Sequence, residues 1–219
     1  MWDSEKRTVI EAAREIASKE LVSGTAGNVS LRLRVSGGRE LVAITPSGRH
    51  YDSLEVDDIV VIDFDGKPVE GRWAASIERM LHLEVYKARR KVGAVIHTHP
   101  VFCSTIAVAG LEIPAIIDEQ VIHIGGEVKV TRYALPGSAE LARNAVSALG
   151  PRNAVILANH GALCVGRDMR EALDICELLE RTAKIYVCAL CLGRVTPLPA
   201  EAIEREKAIF SSIYGESEP

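Results

Sequence analysis

The chain has 219 residues, 47% of them hydrophobic and 26% charged, the balance of a soluble globular protein long enough for one sizeable core, or two at most. Its formal net charge of −4 argues against a nucleic-acid-binding surface, and no apolar run approaches the roughly 20 residues of a membrane span. The odd count of five cysteines reads as free thiols, and the charged segment Met1-Trp2-Asp3-Ser4-Glu5-Lys6-Arg7 lacks a secretory signal's apolar stretch, so a cytoplasmic protein is expected.

Val9, Ile10, Ala13, Ile16, Ala17 and Leu21 recur at helical spacing, which predicts an amphipathic helix over residues 5–21. The small-residue turn Ser23-Gly24-Thr25-Ala26-Gly27-Asn28 then runs into an alternating strand, Val29-Ser30-Leu31-Arg32-Leu33. Its glycines let backbone amides approach a ligand and Asn28 adds a side-chain donor, so both an anion-binding turn and a plain turn are compatible with it. A P-loop is excluded because the lysine and the following helix are missing.

A hairpin through Gly37-Gly38 leads to the strand Leu41-Val42-Ala43-Ile44 and to a second hydroxyl- and glycine-bearing turn, Thr45-Pro46-Ser47-Gly48. A short strand follows at 58–62, closed by the turn Asp63-Phe64-Asp65-Gly66-Lys67. Ser76 is the expected N-cap of a helix whose stripe includes Met80, Leu81, Val85 and Ala88. That start would put Glu78 in the first turn, where the helix dipole favours a carboxylate, and His82 one turn on as a packed or hydrogen-bonded histidine.

The stretch Val92-Gly93-Ala94-Val95-Ile96-His97-Thr98-His99-Pro100 reads as a buried strand that ends in a histidine pair. Alternation along a strand puts His97 and His99 on one face, roughly 7 Å apart at Cα, which suits adjacent positions on a tetrahedral metal. A helix is predicted over 102–109 ending at Gly110, then a connector over 113–119, a strand at 128–130 and a helix over 139–149. A second buried strand at 154–158 delivers Asn159-His160-Gly161, and a strand at 162–165 follows. Asp168 is the expected cap of a long helix over 169–192, with Leu173, Cys176, Leu179, Ala183 and Val187 facing inward. Cys188 and Cys191 in that helix have no second pair to complete a zinc knuckle and are expected to be small buried hydrophobes. A charged helix from residue 201 runs out at Ile213-Tyr214-Gly215.

Strands joined by short turns and alternating with helices fit an α/β fold, a mixed, largely antiparallel sheet flanked by helices. His97, His99 and His160, all at strand ends, are the donor set of an open, catalytic metal site. The turns with Asn28, Ser47, Gly48 and Ser76 add hydroxyls, an amide and backbone N–H groups suited to phosphate. Residues alone suggest a divalent metal beside an anion pocket.

The ordered motifs Gly24-Thr25-Ala26-Gly27-Asn28-Val29-Ser30, Ile44-Thr45-Pro46-Ser47-Gly48, Ser76-Ile77-Glu78, His97-Thr98-His99 and Asn159-His160-Gly161 resemble the class II aldolase/adducin family, and within it the L-fuculose-1-phosphate aldolases most. The resemblance implies one three-layer α/β/α domain over 1–219, with a mobile tail from about residue 201, assembled as a homotetramer with sites between subunits. It implies a zinc lyase, with Mn2+ or Co2+ as other divalent ions that such a histidine set accepts. His97, His99 and His160 would hold the metal, and Glu78 would be the catalytic glutamate that also binds metal before substrate arrives. Gly27, Asn28, Ser47, Gly48 and Ser76 would cradle the phosphate. Tyr214 would donate a proton in the neighbouring subunit's site.

The implied substrate is a ketose 1-phosphate, cleaved to dihydroxyacetone phosphate and an aldehyde, and the proton-shuttling role of Glu78 calls for a raised pKa. Two positions depart from the fuculose-phosphate pattern. Ile77 replaces a second serine, and Asp118 replaces a tyrosine that meets the aldehyde portion, so Asp118 is a candidate catalytic residue and a 5-deoxypentulose phosphate a candidate substrate. Ribulose-5-phosphate 4-epimerase and methylthioribulose-1-phosphate dehydratase share the family. The former usually has aspartate at the Glu78 position. A non-catalytic adducin-like module typically loses the metal histidines, which are all present here.

Overall fold

The computed structural model describes residues 1–34, 38 and 40–215. Seven strands, β1 Asn28–Arg34, β2 Glu40–Ile44, β3 Val60–Ile62, β4 Pro68–Glu70, β5 Ala94–Thr98, β6 Ala154–Leu157 and β7 Gly161–Gly166, form one sheet of order β4-β3-β2-β1-β5-β7-β6. Every ladder between neighbours is antiparallel. The parallel contribution among the described residues is the isolated bridge Val130–Ile156. The helices are α1 Asp3–Ser18, α2 Arg79–Ala88, α3 Val101–Ala109, α4 Ala139–Leu149, α5 Met169–Cys191 and α6 Ala200–Tyr214.

Strand alternation sorts the side chains into two apolar layers. On β5, Ala94 and Ile96 face α1, α3 and α5, whereas Val95 faces α2 and α4. Leu163 and Val165 of β7 join the second layer, and Ala162 and Cys164 the first. The result is a three-layer α/β/α fold. α6 lies outside these layers against a π-helical turn, Gln120–Ile124, with Phe210 buried at the contact.

Helix ends follow the expected chemistry at three places. Gly110 closes α3 in the left-handed conformation, Ser138 Oγ accepts from Leu141 N–H at 3.1 Å, and Asp168 Oδ1 accepts from Glu171 N–H at 2.9 Å. Elsewhere the structure differs from expectation. α2 starts at Arg79, so Glu78 occupies the N-cap position and Ser76 lies before the helix. The reason is a tie to the preceding turn: Ser76 N–H donates to Thr45 O and Ser47 N–H to Ala74 O, which holds residues 74–76 out of helical geometry.

Residues 128–130 form two isolated bridges, Ile113–Val128 and Val130–Ile156, instead of a strand. The connector after Ile113 contains the π-helical turn, and β4 is an extra edge strand opened by Pro68, a residue that edges tolerate. Gly37 of the expected hairpin lies outside the described residues, although β1 and β2 pair from Ser30–Ile44 to Arg34–Glu40. Cys188 and Cys191 are exposed, contrary to expectation, while Cys103, Cys164 and Cys176 are buried. The 23-residue α5, about 34 Å long at 1.5 Å per residue, outruns strands of at most seven residues and about 23 Å, so its end has no layer to pack on. No helix of the described residues is long and apolar enough to cross a membrane.

The loop between β2 and α2 is anchored by one buried carboxylate. Asp58 accepts from Glu55 N–H, Arg72 Nε and Nη2, and Trp73 Nε1, all within 3.0 Å. Burial pushes this carboxyl up, but the backbone N–H, Trp73 and Arg72 outweigh it and bring it down to about 2. A folded pKa below the unfolded value of about 3.9 gives stability that is present above pH 4 and lost as pH falls through about 2. Discounted for the solvent around exposed Arg72, Asp58→Asn should cost about 1–2 kcal/mol at neutral pH. Urea midpoints of the two proteins should converge as pH drops from about 4 towards 2; a gap that stays constant would refute the assignment.

Candidate metal centre

Antiparallel pairing brings four chain segments to one edge of the sheet. β1 begins there, β5 ends there, β7 begins there and β2 ends there, with Asn28 opposite His97 and Thr98 opposite Ala162. His97 is the penultimate residue of β5, and His99, just beyond it, donates its backbone N–H to Leu21 O at 2.9 Å. His160 arrives in the turn between β6 and β7. Asn159 takes the left-handed conformation there at φ 54°, which asparagine tolerates better than most residues. A Cβ on Gly161 would lie 2.3 Å from Thr98 O and 2.8 Å from the His99 ring, so the Asn-His-Gly run meets a steric requirement of the site.

The three imidazoles converge edge to face with ring centroids 4.6–4.8 Å apart, and their ligand nitrogens lie within 4.8 Å of one another. His97 Nδ1–H donates to Ala162 O at 2.8 Å, which turns Nε2 into the site. There Nε2 lies 2.8 Å from His99 Nε2 and 3.2 Å from Glu78 Oε2. Burial pushes His99 down to about 4 and lowers His160, with His97 adding to both shifts, so both rings favour the neutral, ligating form. Glu78 Oε1, 3.5 Å from His160 Nε2, is buried without a hydrogen-bond partner. Convergent neutral nitrogens beside an unpartnered carboxylate oxygen fit a divalent cation, and the cluster is able to hold one.

Glu78 differs from expectation in its titration. Burial pushes its carboxyl up, but His97, Asn28 and His160 together take it below the usual carboxylate range. The protein environment thus favours the carboxylate form of Glu78.

The adjoining cleft, of about 300 Å³, is lined by Gly27, Asn28, Ser47, Gly48, Ser76 and Glu78 together with His99 and His160. These are the expected phosphate turns, brought to the histidines in one chain. Gly27 is required: at φ 76° its Cβ would fall 2.7 Å from His97 O. Ile77, 62% exposed, sets an apolar side chain in the same wall. Pro136 also lines the cleft and carried no signal in the sequence.

Asp118 and Tyr214 do not line this cleft. Asp118 contacts Glu206 on α6, and Tyr214 stacks under Arg167 with its hydroxyl 3.2 Å from His123 Nδ1, in a separate cleft with Glu119 and Arg181.

Comparison with known proteins decides what the site belongs to. The model of the class II aldolase and adducin N-terminal domain matches residues 7–187. The chain belongs to this family. A 5-deoxy-D-ribulose 1-phosphate aldolase of Bacillus thuringiensis serovar kurstaki is 32% identical over 216 residues, 99% of each chain. A 5-methylthioribulose-1-phosphate/5-deoxyribulose-1-phosphate aldolase of Rhodospirillum rubrum is 36% identical over 95% of this chain and 91% of its own. A solved structure of an L-fuculose 1-phosphate aldolase superposes with a TM-score of 0.89 at 36% identity, covering 95% of this chain and 96% of its own. As a class II aldolase this protein is a metal-dependent aldehyde-lyase.

A divalent cation should therefore bind in an equimolar amount and raise thermal stability. Saturation at about a hundred times the dissociation constant corresponds to about 2.7 kcal/mol. His97→Ala, measured by calorimetric titration with zinc and by melting, should lose both effects. Undiminished uptake by that variant would place the metal elsewhere.

Proposed function

We propose that this enzyme is a zinc-dependent aldolase, cytoplasmic and homotetrameric, that reversibly cleaves a ketose 1-phosphate to dihydroxyacetone phosphate and an aldehyde. The observation that carries the reading is the meeting, in one chain, of the His97/His99/His160 apex, the Glu78 carboxyl against it and the glycine- and hydroxyl-bearing turns. His97, His99 and His160 would hold the cation, with Glu78 as a further ligand in the absence of substrate. Bound there, the cation supplies Lewis-acid polarisation of the substrate carbonyl at C2.

The chain's own groups divide the remaining work. Gly27, Asn28, Ser47, Gly48 and Ser76 hold the phosphate through backbone N–H groups, an amide and hydroxyls. Glu78 moves the proton at the carbon of dihydroxyacetone phosphate that joins the aldehyde, and a carboxylate resting form suits removal of that proton in the condensation direction. Tyr214 of a neighbouring subunit handles the proton at the aldehyde-side oxygen, and Asp118 faces the aldehyde from the same side.

Two substrates lead the class. L-fuculose 1-phosphate follows from the motifs. 5-Deoxyribulose 1-phosphate is favoured by the relatives bearing that name.

Dihydroxyacetone phosphate should be released from one or both substrates, disappear on chelation and return with zinc. No release from zinc-loaded protein with either would overturn the substrate reading and point to epimerase or dehydratase products. Glu78→Gln should retain zinc and lose on the order of 10²–10⁴ in kcat; full activity would remove Glu78 from the mechanism. Inactive His97→Ala and Tyr214→Phe chains, co-expressed, should recover activity in mixed tetramers, because an intact site then draws its tyrosine from a neighbour. Absence of recovery in verified mixed tetramers would place Tyr214 in its own chain's site or outside it.

A further inference from the structure

Between β1 and α2 runs a buried polar seam where two apolar faces would be expected. Asn28, Ser30 and Arg32 recur every second residue on the α2 side of β1, and Glu78, His82 and Tyr86 recur every fourth residue across the start of α2. Two strand residues advance about 6.6 Å and four helical residues about 6 Å, so the two rows stay in step. Asn28, Ser30, Glu78, His82 and Tyr86 are at most 5% exposed. Asn28 Nδ2 donates to Glu78 Oε2 at 2.9 Å, and its Oδ1 is hydrogen-bonded to His82 Nε2. His82 Nδ1 lies 2.7 Å from Ser30 Oγ, which is 2.9 Å from the Tyr86 hydroxyl.

The orientation of the Asn28 amide gives this chain one polarity. Its NH2 is turned towards the Glu78 carboxyl and its carbonyl oxygen, which only accepts, towards His82. His82 must then carry its proton on Nε2 and accept at Nδ1 from the Ser30 hydroxyl. The Ser30 oxygen is in turn free to accept from Tyr86, for which Gly93 O is a longer alternative at 3.4 Å. Burial, with His97 adding to it, pushes His82 down to about 3, which keeps the ring neutral and so both donor and acceptor. With the amide rotated the other way, Asn28 Oδ1 would oppose the carboxylate and drive it from its place beside the histidines.

We infer that His82 is a positioning residue of the aldolase reaction: through Asn28 it fixes the orientation of the Glu78 carboxylate, as a link running from Tyr86 and Ser30 to the site. The inference rests on the reading of Glu78 as the proton-transfer group. It makes Asn28 more than a phosphate contact, since both ends of its amide are engaged and only one N–H is left for substrate.

The test combines a spectroscopic measurement with kinetics. In ¹⁵N-histidine-labelled, zinc-loaded protein at neutral pH, His82 should appear as the neutral Nε2–H tautomer; a proton on Nδ1 would overturn the inference. His82→Leu should lower kcat on the order of 10- to 100-fold, with KM and zinc content unchanged. His82→Gln, which keeps an N–H towards Asn28, should recover a large part of that loss. A folded, zinc-loaded His82→Leu with wild-type kcat would equally overturn the inference, and if that variant fails to fold the wild-type tautomer decides alone. Absence of aldolase activity in the wild-type protein would sink the aldolase reading, while the tautomer would still report whether the seam has the inferred polarity.

Discussion

The pairing of Asn28 with His97 in antiparallel register is the constraint on which the site depends. Side chains alternate across a sheet, so a slip of β5 by one residue would carry His97 to the α1/α3/α5 side, away from Asn28. The register is held by the apolar residues between: Val29 and Ile96 feed one core layer, Val95 the other, and each would be turned into the wrong layer by a slip. Core packing thus secures the histidines, although neither core layer touches the chemistry. The antiparallel topology does the rest, because it alone gathers strand starts and strand ends at one edge.

Maintaining a polar seam inside the protein has an energetic cost, since buried polar groups must recover the hydrogen bonds they lose to water. Along most of the seam that cost is met. Arg32 closes the far end with Glu40 and the carbonyl of Tyr86, and its guanidinium lies 4.9 Å from the Tyr86 ring centroid. At the two ends it is not fully met: Arg32 Nε at the far one, and Glu78 Oε1 and His160 Nδ1 at the near one, are buried without partners. The unsatisfied polarity therefore includes atoms at the histidine apex, where a cation or substrate has use for it.

Much of this was legible in the sequence, for physical reasons that can be named. His97 and His99 stand two apart at the end of an apolar run closed by proline, so their shared face followed from strand geometry. His160 stood out as a histidine between a buried strand and a glycine. Ser30 and Tyr86 did not stand out, because alternation of Val29, Leu31 and Leu33 with polar residues looks the same whether the polar face meets water or a helix. The matching four-residue spacing of Glu78, His82 and Tyr86 was the available signal. The start of α2 was obscured because the ties from Ser76 to Thr45 and from Ser47 to Ala74 are tertiary. Asp118 and Tyr214 were singled out through resemblance alone, and neither reaches the cleft of its own chain.

The charge of the cleft shows why the seam and the cation belong to one design. Its lining residues include neither lysine nor arginine, so a sugar phosphate would meet a carboxylate, neutral imidazoles, hydroxyls and backbone amides. Opposing a phosphate dianion with a free carboxylate is unfavourable in a partly desolvated pocket, by several kcal/mol at about 4 Å and an intermediate dielectric. Two features relieve this. A divalent cation at the histidines reverses the sign of the local field, so it assists binding as well as carbonyl polarisation. Asn28, hydrogen-bonded to both Glu78 and His82, ties the carboxylate to the seam. A site that is to bind an anion without a cationic side chain has to govern where its own negative charge sits, and the strand–helix seam is placed to do so.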